Sequence, residues 1–525
     1  MFETAEVGSA LSDDAFREIR GRLRLDLVSL QQKCRAAGFP VIVILMGVKG
    51  AGILDTVNLL NTWMDPRWIA TTTFDDPTDE EMERPMFWRY WRSLPKAGSI
   101  GLYPGGWYMD PIAQHCNGAL SRTQLDEALL SIKAFERTLA EEGALILKFW
   151  LHLSKSEQRK RLVRQTKDPV VGLKATDRAW QTPKNNDVYR KTASYTLRQT
   201  MDAKAPWFIV EGTDDNYRRA TVLMTLRDTL AHHIKIRKRL TKQRSKDLSK
   251  ESKKAQSLGT NGAKNQKEVR TKTTAPREHV PVRRVLDTIN MKAKVSAADY
   301  ASAFHRAQVR LHKAQKKARK ASLSCVIVFE GWDAAGKGGA IRRLTFALDS
   351  RDYRIFPIAA PTDEERAHHY LWRFWRHIGR AGRMTIFDRS WYGRVLVERV
   401  EHLISEEDCL RAYSEINDFE EQLASNGTLV VKFFLHLSDA EQLRRFKRRQ
   451  NKAYKRWKLT DEDWRNREKR PQYEAAINDM ISRTSTTIAP WHLISANDKN
   501  HTRLTVLEIV SEELEKALSK PSKRK

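Results

Sequence analysis

Two stretches of this chain repeat each other. Gly143 to Leu162 reads G-A-L-I-L-K-F-W-L-H-L-S-K-S-E-Q-R-K-R-L and Gly427 to Phe446 reads G-T-L-V-V-K-F-F-L-H-L-S-D-A-E-Q-L-R-R-F, an offset of 427 − 143 = 284. The same offset pairs Pro77-Thr78-Asp79-Glu80-Glu81 with Pro361-Thr362-Asp363-Glu364-Glu365, and Trp88-Arg89-Tyr90-Trp91-Arg92 with Trp372-Arg373-Phe374-Trp375-Arg376. It also pairs Ala205-Pro206-Trp207 with Ala489-Pro490-Trp491. One register kept over such a span is a tandem duplication, so whatever fold the chain adopts, it adopts twice. At 525 residues and 41% apolar content there is material for more than one core.

The second copy contains a phosphate loop. The apolar run Cys325 to Phe329 leads into Glu330-Gly331-Trp332-Asp333-Ala334-Ala335-Gly336-Lys337-Gly338-Gly339, and the amphipathic Ala340 to Leu348 follows. Gly331, Gly336 and Lys337 fit the G-x-x-x-x-G-K spacing of strand, loop and helix. Glycines there let backbone N–H groups curl round a phosphate, the helix N-terminus adds partial positive charge, and the lysine reaches the outer oxygens. Gly338 occupies the position where a Ser or Thr usually holds Mg²⁺. The metal must find oxygen elsewhere, and Asp333 inside the loop is the nearest carboxylate. In the first copy Gly47 and Gly52 match Gly331 and Gly336, but Ile53 stands opposite Lys337 and Lys49 opposite Asp333. An apolar side chain cannot hold phosphate. The expectation is a degenerate, inactive domain over 1–234, a flexible basic linker over 235–284, a catalytic domain over 285–518 and a basic tail over 519–525.

Charge points to the kind of partner. With 94 Lys+Arg against 65 Asp+Glu the net charge is +29, which favours a polyanion: nucleic acid, acidic membrane or inorganic phosphate chains. Cys34, Cys116, Cys325 and Cys409 show no paired spacing, so neither a disulfide framework nor a zinc site is indicated. The N-terminal run is neither basic nor apolar enough for a signal peptide, and no apolar run reaches membrane-spanning length. A cytoplasmic protein without a membrane partner is expected.

The rest of the second copy supplies further anion-handling groups. Ser296 to Lys320 has helical periodicity, Tyr353 to Ile358 reads as a strand, and Asp363 to Arg380 as a helix, acidic at its start and basic at its end. The stripe His368, Trp372, Trp375 and Arg376 on that helix reads as core packing. Met384 to Ser390 is an apolar strand ending in Asp388, the usual place for a second metal-associated acid. Arg389 follows it where hydrolases of this class carry a water-activating carboxylate, which favours transfer over hydrolysis. The first copy has Pro104-Gly105 there. Thr428 to Leu437 is a strand, and Ser438-Asp439-Ala440-Glu441 a capping box opening a helix. Along that helix Arg444 and Arg448, and Arg445 and Arg449, stand four apart. The basic run continues through Lys452, Lys455, Arg456 and Lys458, where self-repulsion is strong unless an anion is bound, so it reads as a phosphate-gripping lid. Trp491 to Ser495 is a last strand and His501 to Leu518 a closing helix.

Taken together, Glu330 to Gly339, Asp388 to Tyr392 with Glu398, His436 to Phe446, Lys455 to Lys458 and Ala489 to Trp491 resemble the polyphosphate kinase 2 family. The first copy resembles its framework, so the whole chain is similar to the fused two-domain type. That resemblance implies a polyphosphate:AMP phosphotransferase making ADP, dependent on Mg²⁺. It implies a metal held by Asp333 and Asp388, with Lys337 and Arg389 joining them in catalysis. Phosphate and nucleotide contacts would come from Gly331, Ala334, Ala335, Gly336, Gly338, Gly339, Glu398, Arg445 and Arg449, and Lys455 and Lys458 would lie on the lid.

The expected architecture is α/β: two tandem phosphate-loop kinase-like three-layer domains with mostly parallel sheets and helical lids, assembled as a homo-oligomer. Polyphosphate and AMP are the expected partners, with ADP, GDP or other nucleotides as alternative acceptors. Two readings of other classes stay open: a nucleic-acid-stimulated NTPase, against which Arg389 argues, and a non-catalytic polyphosphate-binding scaffold.

Overall fold

The computed structural model describes residues 1–167, 186–260, 284–452 and 460–519. Its contacts group into two compact units, Met1–Asp76 with Ser93–Pro276, and Pro77–Arg92 with Arg277–Lys525.

The first unit is built on β1 (Val41–Gly47), β2 (Ile69–Thr71), β3 (Ile100–Pro104), β4 (Leu145–His152) and β5 (Trp207–Glu211), in the order β2-β3-β1-β4-β5. The second is built on β6 (Ser324–Gly331), β7 (Tyr353–Pro357), β8 (Met384–Asp388), β9 (Thr428–His436) and β10 (Trp491–Ser495), in the order β10-β9-β6-β8-β7. All described pairings in both sheets are parallel. The repeat extends to register, since Val41 pairs with Ile100 in one sheet and Cys325 with Met384 in the other. Continuous apolar runs account for this, because a central parallel strand is covered on both faces. β1 and β4 are buried at every position.

Helices supply the covers. In the second unit Ala297–Lys320, capped by Ser296, buries Ala307, Leu311, Ala314 and Ala318, and Lys499–Ser519 buries Leu504, Val506, Leu507, Val510 and Leu514. Among the described residues no helix is long and apolar enough to cross a membrane. The fold expected from the sequence is therefore present: two α/β units with five-stranded parallel sheets.

Three local expectations need correction. Asp363 to Arg380 is not one helix but two short turns, Asp363–Arg366 and Trp372–Trp375. The Thr362–Glu365 capping box closes the first, and between them the His369 imidazole accepts the Leu371 N–H at 3.2 Å, a donor a continuous helix would have used in its backbone. Ser438 does cap the helix Asp439–Gln450 by accepting from the Glu441 N–H, but the Glu441 carboxylate is taken by Arg444 and Arg445, so the reciprocal half of the box is missing. The stretch 235–284 is not all linker, since the helix Asp215–Thr260 runs on through its first half. Residues 261–283 and 520–525 lie outside the described residues.

Pro77–Arg92 packs with the second unit. Arg84 Nε donates to Ile378 O at 3.0 Å, Arg380 pairs with both oxygens of Glu83 at 2.7 and 2.8 Å, and Trp91 stacks on Trp375 with centroids 6.0 Å apart. Trp375, 1% exposed, also meets Phe419 edge-on, and Trp372 is buried, so the two tryptophans of the stripe are core, whereas His368 is half-buried and Arg376 exposed.

Candidate active site

Parallel pairing brings the carboxyl ends of three strands together, where open α/β sheets bind ligands. Phe329 pairs with Asp388 and Gly331 with Leu435, so the loop leaving β6 starts between the acid at the end of β8 and the chain leaving β9. Gly331 is required by that approach: at φ 140°, a Cβ there would fall 2.4 Å from Leu435 O. The loop then enters the helix Lys337–Phe346 through Gly336.

Two residues beside the loop hold left-handed backbone without being glycine, Ala334 at φ 63° and Arg389 at φ 65°. Their first-copy counterparts are Gly50 at φ 87° and Gly105 at φ 80°. Such a conformation costs an L-residue about 1–2 kcal/mol, and the surrounding packing must enforce it. Arg389 is thereby aimed back at the loop, where its Nη2 donates to Asp333 Oδ1 at 3.2 Å.

The loop is clamped from the helix Asp439–Gln450. Gln442 Nε2 donates to Asp333 O at 3.1 Å. Arg445 donates through Nε to Glu441 Oε1 (2.7 Å), through Nη1 to Ala334 O (2.9 Å) and Ala335 O (3.0 Å), and through Nη2 to Ala496 O (2.7 Å) and Asn497 O (3.0 Å). All five of its N–H groups are engaged, which makes it a loop holder in this state rather than a phosphate contact. Arg161 and Gln158 grip the first-copy loop in the same way, at Gly50 O (3.1 Å) and Lys49 O (3.2 Å), although that copy lacks the lysine. Behind Arg389, Trp391 Nε1 and Tyr392 OH donate to Glu420 Oε1 at 3.1 and 2.7 Å, and Lys432 Nζ to Glu420 Oε2 at 2.7 Å. Trp107, Tyr108, Glu136 and Lys148 repeat this buried network, so it belongs to the framework.

Two clefts meet at the loop. One is lined by Glu330, Asp333, Lys337 and Arg389 and faces an apolar wall of Leu396, Val397, Phe434, Tyr473 and Ile477. The other lies along Ala334, Ala335, Gly336, Gly339 and Ala340 and is flanked by Arg448, Arg449, Lys499 and Arg503. In the first, Lys337 Nζ folds back on Gly331 O (2.6 Å) and Trp332 O (3.4 Å). Asp333 Oδ2 accepts from Asn466 Nδ2 at 2.9 Å. Asp388 faces Gly338 closely: a Cβ on that glycine would lie 3.7 Å from Asp388 Oδ2. The carboxylate thus stands beside the position where a Ser or Thr hydroxyl would start.

The sequence-derived residues sort onto this geometry. Gly331, Asp333, Lys337 and Arg389 line the first cleft, and Ala334, Ala335, Gly336, Gly339 and Arg449 the second, with Arg445 at its back. Asp388, Gly338 and Glu398 do not line either cleft: Asp388 and Gly338 face each other beside the loop, and Arg394 Nη1 donates to the Glu398 carboxylate at 2.9 Å. Lys455 and Lys458 lie outside the described residues. Sequence reasoning missed Glu330, buried at the end of β6, whose Oε1 accepts from Ser390 Oγ at 2.8 Å. The signal existed: Met46 and Gly106 stand at these places in the first copy.

Burial pushes the Glu330 carboxyl above the ordinary range, with Lys337 and Arg389 pulling the other way. A folded state that holds this proton more tightly loses stability as pH rises from the ordinary glutamate pKa, about 4.5, through the raised value. Glu330→Gln, read by thermal unfolding, is expected to flatten the fall in melting temperature above pH 4.5 relative to wild type. An unchanged slope contradicts the raised value.

The fold and site define a duplicated phosphate-loop protein of the kinase-like α/β class, with the loop lysine, the loop aspartate and the strand-end aspartate in one copy only. The pattern of the polyphosphate kinase 2 family matches twice, over residues 10–238 and 294–522, and the chain belongs to that family. The matches are themselves offset by 294 − 10 = 284. The polyphosphate:AMP phosphotransferase of Pseudomonas aeruginosa is 44% identical over 524 residues, covering 99% of this chain and 100% of the relative. That of Pseudomonas syringae pv. tomato is 43% identical over 525 residues, 100% of each. A crystal structure described as a polyphosphate kinase 2 of Pseudomonas aeruginosa PA01 superposes with a TM-score of 0.84 at 42% identity, covering 99% of this chain and 100% of that one.

Proposed function

We propose that the chain is a polyphosphate:AMP phosphotransferase, moving the terminal phosphoryl of inorganic polyphosphate to AMP to give ADP, with residues 285–518 as the catalytic domain. The observation that carries this is the pair of unlike clefts at one loop. The cleft with an apolar wall suits a nucleoside, whereas the one flanked by Arg448, Arg449, Lys499 and Arg503 suits a chain of phosphates. The full-length relatives carry the name of this activity.

Polyphosphate would enter along the basic cleft and present its end over the N-terminus of the helix Lys337–Phe346. AMP would lie against Leu396, Val397, Phe434 and Ile477 with its phosphate toward Arg389. Lys337 leaves its loop carbonyls for the phosphoryl oxygens, and Arg389 opposes the charge spread over them in the in-line transfer. The acceptor is already an anion, so Asp388 orients rather than deprotonates. Asp333 and Asp388 are the oxygen donors suited to Mg²⁺, and Asp388 next to Gly338 fits the missing hydroxyl. When bound, the ion would neutralise charge on the phosphates. The clamps from Arg445 and Gln442 keep the loop in shape throughout.

A substrate panel tests this. Purified protein with Mg²⁺, polyphosphate and each nucleoside mono- and diphosphate, read by product chromatography, is expected to give ADP from AMP as the fastest reaction. Faster turnover of ADP or GDP moves the acceptor class. ATP hydrolysis stimulated by RNA, without polyphosphate-dependent ADP, overturns the reading.

A further inference from the structure

The second copy's basic cleft is open at the loop. Among the described residues only Arg445 Nη1, at 4.0 Å, comes near the place of a Cβ on Gly336, and a Cβ on Gly339 would meet nothing. Thr502 turns inward, donating to Ser495 O and Asp498 O at 3.1 and 2.7 Å. At the repeat offset the first copy has Asp55 for Gly339, Arg218 for Thr502, Arg219 for Arg503 and Asp215 for Lys499.

These substitutions fill the same place. The Arg218 side chain is 1% exposed and lies flat on the loop, its Cζ 2.3 Å from where a Cβ of Gly52 would be. Its Nη2 donates to Asp55 Oδ2 and its Nη1 to Asp215 Oδ1, while its buried Nε has no partner among the described residues. Arg219 holds the same Asp55 carboxylate through Nε (3.0 Å) and Nη2 (2.9 Å). Asp55 is the third residue of the helix Ile53–Trp63, where the helix N-terminus favours negative charge. A phosphate loop, a helix N-terminus and two arginines converge on an anion, and the anion is the protein's own. The Asp55 side chain remains 43% exposed, so the place it occupies is reachable from solvent.

We propose that Asp55 is a built-in surrogate for bound phosphate. It seals the polyanion site of the first copy, so polyphosphate engages the chain through the second copy alone, and removing the carboxylate uncovers a second site for a linear inorganic polyphosphate. The inference rests on the polyphosphate reading above. With Asp55 present, Arg161, Arg218 and Arg219 face Asp55, Asp215 and, at 4.0 Å from Arg161, Glu157. Without it Arg219 loses the carboxylate it is hydrogen-bonded to and Arg218 keeps Asp215, which already accepts from Arg161 at 3.2 Å and from Arg218. A guanidinium buried without its partner is costly, and an external phosphate restores the missing bonds. A merely structural ion cluster behaves otherwise, losing stability on substitution without gaining a ligand.

Tripolyphosphate titrated calorimetrically into the full chain tests the proposal. Wild type is expected to bind one equivalent, and Asp55→Ala, folded by circular dichroism, two. A second site in wild type, or a single site in folded Asp55→Ala, overturns it. Where Asp55→Ala does not fold, two other variants decide. Arg219→Ala should leave tripolyphosphate affinity and ADP formation unchanged, whereas Arg503→Ala should weaken affinity about tenfold, as loss of a charged hydrogen bond does. Weakened affinity in Arg219→Ala overturns the seal. Failure of the underlying function has a separate signature, a wild type that neither binds tripolyphosphate nor makes ADP, and it overturns both.

Discussion

Lys337→Ala is expected to lower ADP formation from AMP and polyphosphate by on the order of 10³-fold, the scale of losing one preorganised group that opposes transition-state charge. Thermal unfolding should hardly move. The ammonium is half-buried and its hydrogen bonds go to Gly331 O and Trp332 O, both accessible to loop reorganisation, so little of the fold depends on it. The first copy shows the same point, since Ile53 occupies the equivalent position in an intact loop and helix. Full turnover in Lys337→Ala would remove the basis for assigning the site. The reciprocal change, Ile53→Lys, should restore nothing, because the first copy also has Pro104-Gly105 in place of Asp388-Arg389 and the Asp55 carboxylate held by Arg218 and Arg219 beside the loop.

Asp388→Asn keeps size and shape while removing one negative charge beside Gly338, 3.7 Å from where a side chain there would begin. A loss of about 10³-fold in kcat is expected, together with a higher Mg²⁺ requirement, because on the proposed reading a hard divalent cation would lose one of the two carboxylates suited to hold it. Magnesium titrations at saturating AMP and polyphosphate give both readings. An unchanged rate and unchanged magnesium dependence would leave Asp388 with no part in the chemistry. Arg389 remains in place in this variant, held by its left-handed backbone and by the Trp391 and Tyr392 bonds to Glu420, so the effect is assignable to charge.

Much of this was legible in the residues. Parallel strands announced themselves as continuous apolar runs, and the loop by glycine and lysine spacing. The repeat then set the two copies apart, because Lys337, Asp388 and Arg389 have Ile53, Pro104 and Gly105 opposite them. Side-chain destinations were less readable. Arg445 looks like a phosphate ligand by helix position, but its reach ends on loop carbonyls. Asp363 to Arg380 has the charge gradient of a helix, yet the His369 imidazole competes for backbone hydrogen bonds and breaks it. The apolar wall of the first cleft draws on β9, Leu396-Val397 and the helix Arg470–Thr484, and only tertiary packing assembles it. Glu330 and Asp55 were visible as differences between copies, but their meaning depends on which groups face them.

Pro77–Arg92 has a consequence for anyone who would trim this protein. That ribbon belongs to the first copy in sequence, yet it lays Trp91 against Trp375 and ties Arg84 and Glu83 to Ile378 and Arg380. A fragment starting at residue 285 would be born with a bare indole and a severed guanidinium clasp. Pro77–Arg92 thus acts as a splint for the second unit, and engineering for a smaller enzyme must carry the splint along or graft a substitute for it.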